Sequence, residues 1–185
     1  MRTLIVDAMP VERRAMTDAI EEAATGLGMQ VAVLRLRDMD VKKCIGCFSC
    51  WVKTPGVCAL NDDGRKLPEE WARADLVVYS TPVFLGSYSP RLKTQLDRLI
   101  PVLLPYFKKF DGETHHPQRY PKKKALVAFG LLKPGSEAEA GTFDQLVHRN
   151  ALNMQARFCE TLASDRELER SDATTILARA KEAVS

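Results

Sequence analysis

Five short apolar runs alternate with stretches of helical periodicity, and this alternation constrains the fold of the chain more tightly than anything else in its sequence. The runs are Leu4 to Val6, Val31 to Leu36, Leu76 to Tyr79, Ala125 to Phe129 and Ala156 to Leu162. Strands buried on both faces read as continuous apolar runs because helices cover them above and below. Between the runs lie the helical segments. Val11, Ala15, Ala19, Ile20 and Ala23 repeat at helical spacing until Gly26 and Gly28. Asp62 or Asp63 is placed to cap a helix running to about Ala72. Ser89-Pro90 gives an N-cap followed by proline at the first helical position, and Leu92, Leu96, Leu99 and Ile100 then share one face. Further helices are expected from about Ser136 to Met154 and from Ser171 to Val184. Such β-α alternation predicts a doubly wound α/β sheet of five parallel strands in order 2-1-3-4-5, and the 185 residues suit a single domain.

In an open sheet of this kind ligands bind outside the carboxyl ends of the strands. Residues 7–12, 81–88 and 130–136 should therefore meet at one edge. A cysteine-rich loop leaves the same edge after the second strand. Cys44, Cys47, Cys50 and Cys58 follow the spacing C-x2-C-x2-C-x7-C, and the Pro55-Gly56 turn brings the fourth thiol back towards the other three. On spacing alone three readings stay open: a [4Fe–4S] cluster, a metal-free loop with one redox-active C-x2-C pair, or a zinc site. Zinc fits least well, because zinc loops usually pair two C-x2-C knuckles across a longer gap.

The remaining composition excludes several classes. No run of 18 apolar residues is present and the first apolar run is too short for a secretory leader, which predicts a cytoplasmic protein whose thiols are reduced or metal-bound. A net charge of only +3 does not point to nucleic acid. Lys122-Lys123-Lys124 reads as a solvated strand entrance, His115-His116 as a solvated pair, and Cys159 as an inert buried thiol. Trp51 is placed either to shield a cluster or to meet a neighbouring subunit. Residues 105–123 look irregular. Their Tyr106, Phe107 and Tyr120 predict a homodimer or homotetramer that covers them.

Two segments carry a resemblance. Thr81-Pro82-Val83-Phe84-Leu85-Gly86-Ser87, continued through Ser89, Leu92, Lys93, Asp97 and Arg98, resembles the P-x-[YF]-x-G-x-x-S-x-x-L-K-x-x-x-D-R segment of NAD(P)H-dependent FMN reductases with a flavodoxin-like fold. Cys44 to Cys58, followed by Asn61-Asp62-Asp63, resembles the cysteine motif of the iron–sulfur flavoprotein branch of that family. The resemblance implies an FMN-dependent oxidoreductase that takes electrons from NAD(P)H and passes them to a small molecule or a protein acceptor. It implies that Thr81 to Ser87 and Gly130 approach the isoalloxazine ring, with Phe84 as its wall. It implies a first loop, including Met9 and Pro10, that holds the flavin phosphate, and four cysteines that hold [4Fe–4S]. The first loop departs from the family pattern S-P-R-x-x-G-x-[ST]. Here it reads Ala8-Met9-Pro10-Val11-Glu12-Arg13-Arg14-Ala15-Met16-Thr17, with Arg13 or Arg14 left to balance the phosphate charge. That departure motivates a second expectation, a flavin-free flavodoxin-like module for metal binding or protein interaction.

Overall fold

The computed structural model describes residues 1–185. Strands β1 (Arg2–Asp7), β2 (Gln30–Arg35), β3 (Leu76–Phe84), β7 (Ala125–Leu131) and β8 (Phe158–Ser164) form one parallel sheet in the order β2-β1-β3-β7-β8. This is the expected 2-1-3-4-5 order, counted over the five long strands. Every pairing along that path is parallel. Parallel neighbours need crossovers, and the helices that supply them cover both faces.

The period-2 alternation of the strands divides the core in two. Leu4, Val6, Val77, Tyr79, Leu126 and Ala128 face a cluster with Trp71, Leu92 and Phe143. Those three residues come from α3 (Lys66–Arg73), α4 (Pro90–Leu96) and α5 (Glu139–Asn153). Ile5, Val78, Val127 and Phe129 face the opposite cluster with Ile20, Ala24, Ile176 and Leu177. These come from α1 (Ala15–Gly26) and α6 (Arg170–Val184). Ser89 caps α4 as expected: its hydroxyl accepts the Leu92 N–H at 3.3 Å, with Pro90 at the first position.

Several elements differ from the sequence reading. The helix expected from Val11 begins at Ala15; a 3₁₀ turn over Val11–Arg13 precedes it. β3 runs on through Pro82 to Phe84 and folds back as β4 (Ser87–Tyr88), a two-residue antiparallel strand off the five-strand path. Residues 105–123 are not wholly irregular. β5 (Lys108–Phe110) and β6 (Glu113–His115) form a hairpin about Asp111-Gly112.

Two side-chain expectations are also corrected. Lys124 is not solvated: it is buried, donates to the Ala74 carbonyl at 2.7 Å, and has its pKa pushed down to about 8 by burial, with the Lys122 charge adding to the effect. His115 is buried too, between Asn153 Oδ1 at 2.9 Å and Glu113 Oε2 at 3.1 Å. No helix is long and apolar enough to cross a membrane.

Candidate functional site

The cysteine segment leaves the carboxyl end of β2 through a 3₁₀ turn at Leu36–Asp38 and then runs extended. Gly46 and Phe48 both take left-handed backbone angles, with φ of 64° and 53°, and these coil the chain into the short helix α2 (Ser49–Val52). Cys50 is buried in α2, Cys44 and Cys47 are exposed, and Cys58 is intermediate; all are free thiols. The four line one cavity of about 330 Å³ whose other walls include Ile45, Phe48, Leu60 and Ile100. Burial pushes the Cys50 thiol up, and the neighbouring Cys58, Cys44 and Cys47 push the same way. The Ser49 hydroxyl, hydrogen-bonded to Cys47, lowers that thiol. No three Cys, His, Asp or Glu side chains are grouped closely enough to hold a single metal ion. Four thiols spread around an apolar cavity fit a [4Fe–4S] cluster, in which each thiolate takes a different iron.

The cavity is held by groups other than thiols. Asp62 accepts the Lys42 N–H at 2.9 Å and the Gly64 N–H at 3.0 Å. It pairs with Arg98 through two bonds of 2.7 and 2.9 Å, with side-chain exposures of 3% and 0%. Arg98 also donates to the Lys42 carbonyl at 2.6 Å. The guanidinium lies where a Cβ on Gly64 would be, at 2.7 Å, so only glycine leaves room for it. Asp63 accepts the Asp40 N–H, and Arg65 donates to the Cys58 and Leu60 carbonyls. Trp51 stacks on Phe48, donates to the Ile100 and Leu103 carbonyls, and touches His116, which in turn packs on Phe107.

The segment expected to meet a flavin ring is a tight hairpin. Leu85 and Gly86 have φ of 50° and 71°, the sign pattern of a type I′ turn. Leu85 is 91% exposed, an apolar side chain in a backbone region that disfavours it. Phe84 is 42% exposed, with Lys133 Nζ 5.3 Å above its ring. Pro82 and Ser87 are half-buried, whereas Thr81 and Val83 belong to the core. Thr81 holds the Ser89 amide and hydroxyl at 3.2 and 3.0 Å. Gly130 lies in β7, where a Cβ would meet Val83 at 2.8 Å and Phe143 at 2.9 Å. Its glycine is explained by core packing. The side chains that a planar ring can reach are thus Pro82, Phe84, Leu85 and Ser87, and these fit an isoalloxazine wall.

In the first loop Met9 is buried, Pro10 half-buried, and Val11 to Ala15 are exposed. The buried Asp7 carboxylate accepts the Met9 N–H, the Thr17 hydroxyl and an Arg37 N–H. Arg13 and Arg14 lie 3.8 Å from Glu167 and Asp18 respectively and are exposed. The sequence reading missed the burial of Asp7 and its pairing with Arg37, thirty positions on. It missed Lys133 over Phe84. A second cavity of about 330 Å³ lies at the carboxyl ends of β7 and β8, lined by Met16, Gly130, Ser164 and Arg166 among others.

The sequence model of the NADPH-dependent FMN reductase family matches residues 1–160. An iron-sulfur flavoprotein of Archaeoglobus fulgidus is 30% identical over 100 residues, covering 53% of this chain and 48% of that protein. The chain spans about half the length of the curated relatives it matches. Among solved structures, the NAD(P)H:quinone oxidoreductase from Methanothermobacter marburgensis superposes with a TM-score of 0.62 at 17% identity, covering 99% of this chain and 96% of its own. An FMN-dependent NADH-azoreductase from Bacillus anthracis, in complex with FMN, gives 0.56 at 13% identity, covering 100% of this chain and 99% of its own. At these identities the two structures share the fold.

Proposed function

Because the chain belongs to the NADPH-dependent FMN reductase family, we propose that it is an FMN-dependent oxidoreductase that draws electrons from NAD(P)H and delivers them through a cysteine-held [4Fe–4S] cluster to a small-molecule or protein acceptor. The observation that carries the reading is the cavity lined by all four thiols, closed on its far side by Asp97 and Ile100 of the helical segment that follows the hairpin at residues 81–87. A bound flavin would supply acceptance of hydride and release of single electrons, and a cluster would supply one-electron transfer. Pro82, Phe84, Leu85 and Ser87 would orient the ring, and Arg13 and Arg14 are the cations left for its phosphate. Cys44, Cys47, Cys50 and Cys58 would hold the cluster, with Phe48, Leu60 and Ile100 excluding water from it. Trp51 and Phe48 form the aromatic wall between the cavity and His116.

The test is the visible spectrum and iron content of protein purified or reconstituted without oxygen. Flavin bands plus a broad brown shoulder, with iron and acid-labile sulfide each near about four per chain, are expected. Cys47→Ser should lose the iron and keep the flavin, since Cys47 lies outside the hairpin and the first loop. A colourless, metal-free protein would favour the second reading, a flavin-free interaction module. The commitment of the Met9 amide to Asp7 is the observation on that side.

The same reading includes self-association. Tyr106 and Phe107 are 68% and 72% exposed beside the cysteine loop, and burying such aromatics is favourable at an interface. Light scattering should give a dimer or larger species, and Phe107→Glu should lower the mass. A wild-type monomer at all workable concentrations would refute the assembly.

A further inference from the structure

The carboxylate of Asp7 is fully buried at the end of β1, where the sheet meets α1. Its Oδ1 accepts the Met9 N–H at 2.9 Å and the Thr17 hydroxyl at 2.9 Å. Its Oδ2 accepts from Arg37 Nη1 at 2.6 Å. Thr17 Oγ1 also lies 2.8 Å from the Ser80 hydroxyl. Since the Thr17 proton goes to Asp7, Ser80 donates to Thr17. A loop amide, a hydroxyl from the first turn of a helix and a guanidinium are among the donors that an anion recruits at such a helix start. All three are committed to a carboxylate of the chain itself.

Displacing Asp7 would strand a buried charge, and removing one partner of a buried pair is strongly unfavourable. Adding a phosphate dianion beside the undisplaced carboxylate sets like charges together in a poorly screened place. The cations left over, Arg13 and Arg14, are solvent-exposed. Contacts between exposed charges contribute little, because water screens them.

Resting on the flavin reading above, we propose that this site recognises the flavin by its ring and not by its phosphate, with Asp7 the residue that removes the preference for FMN over riboflavin. The ligand class is then flavins irrespective of 5′-phosphorylation. Pro82, Phe84 and Leu85 supply the shared recognition.

The experiment is equilibrium titration of the full chain with FMN and with riboflavin, followed by flavin fluorescence, for the wild type, Asp7→Ser and Asp7→Asn. The wild-type dissociation constants are expected to differ by less than about tenfold, which is 1.4 kcal/mol. Both variants remove the carboxylate facing Arg37, leaving it only a 3.9 Å contact with Asp38 as an ion pair, so each is expected to raise the preference for FMN by about tenfold or more over the wild type. A wild-type preference for FMN above about tenfold overturns the proposal, even if neither variant folds. So does a folded Asp7→Ser or Asp7→Asn protein, judged by its thermal unfolding transition, whose preference equals that of the wild type. Tight, phosphate-dependent FMN binding would sink this inference and leave the flavin reading standing. Absence of binding by either flavin would overturn both.

Discussion

Replacing Arg98 by leucine is expected to destabilise the protein by about 3–5 kcal/mol, because it leaves the Asp62 carboxylate buried without its cation. Urea unfolding of Arg98→Leu against the wild type measures this. The double variant Arg98→Leu/Asp62→Leu should recover much of the loss, since removing both charges also removes the desolvation penalty. A single variant as stable as the wild type would mean that the pair holds nothing. Hydrogen bonding from Arg98, aided by the Lys42 and Gly64 amides, depresses the Asp62 carboxyl to about 2. A depressed folded-state pKa stabilises the fold in full above the unfolded carboxyl value of about 4 and loses that contribution as pH falls through about 2. The wild type should therefore lose roughly 2 kcal/mol from this group across that window. The double variant, with no carboxyl at this position, should not.

Gly86→Ala is expected to cost about 2–4 kcal/mol, through a left-handed backbone that alanine resists and a Cβ placed 2.6 Å from Thr142 Cβ. Neither neighbour yields easily. Thr142 sits in α5, and the Gly86 N–H is fixed to Glu139 Oε2 at 2.9 Å on the same helix. Thermal unfolding followed by circular dichroism reads the stability. Flavin titration should show a parallel weakening, because Phe84 and Leu85 ride on the same turn. Unchanged stability would show that the hairpin relaxes away from α5 at no cost.

The five long strands were legible because parallel strands buried on two faces leave uninterrupted apolar runs, as at Leu76 to Tyr79. The convergence of the four cysteines was legible because their spacing is local. The extension of β3 through Pro82 was not, since proline usually argues against a strand. It is tolerated here because β1 pairs with β3 only as far as Ser80, leaving β7 as the sole partner at Pro82. One side of Pro82 therefore needs no donor. The β5–β6 hairpin did carry a signal, the Asp111-Gly112 dipeptide, and both residues take positive φ. The Asp7–Arg37 pair had none. It joins the end of β1 to the turn after β2, and only the parallel register of those strands brings the two residues together. The burial of His115 is equally non-local, because Asn153 comes from the far end of α5.

The fastening of the cysteine segment bears on how the proposed cluster would be loaded. Asp62, Asp63, Arg65 and Arg98 tie both arms of the loop through bonds that involve no sulfur. In small metal-nucleated domains the ion does the folding, and a chelator unfolds the chain. Here those bonds hold the loop independently of the thiols, so on the proposed reading little of a cluster's affinity would go into ordering it. A variant such as Cys47→Ser should then keep the thermal unfolding transition of the wild type. Loss of the proposed cluster to oxygen would stop electron transfer without unfolding the chain.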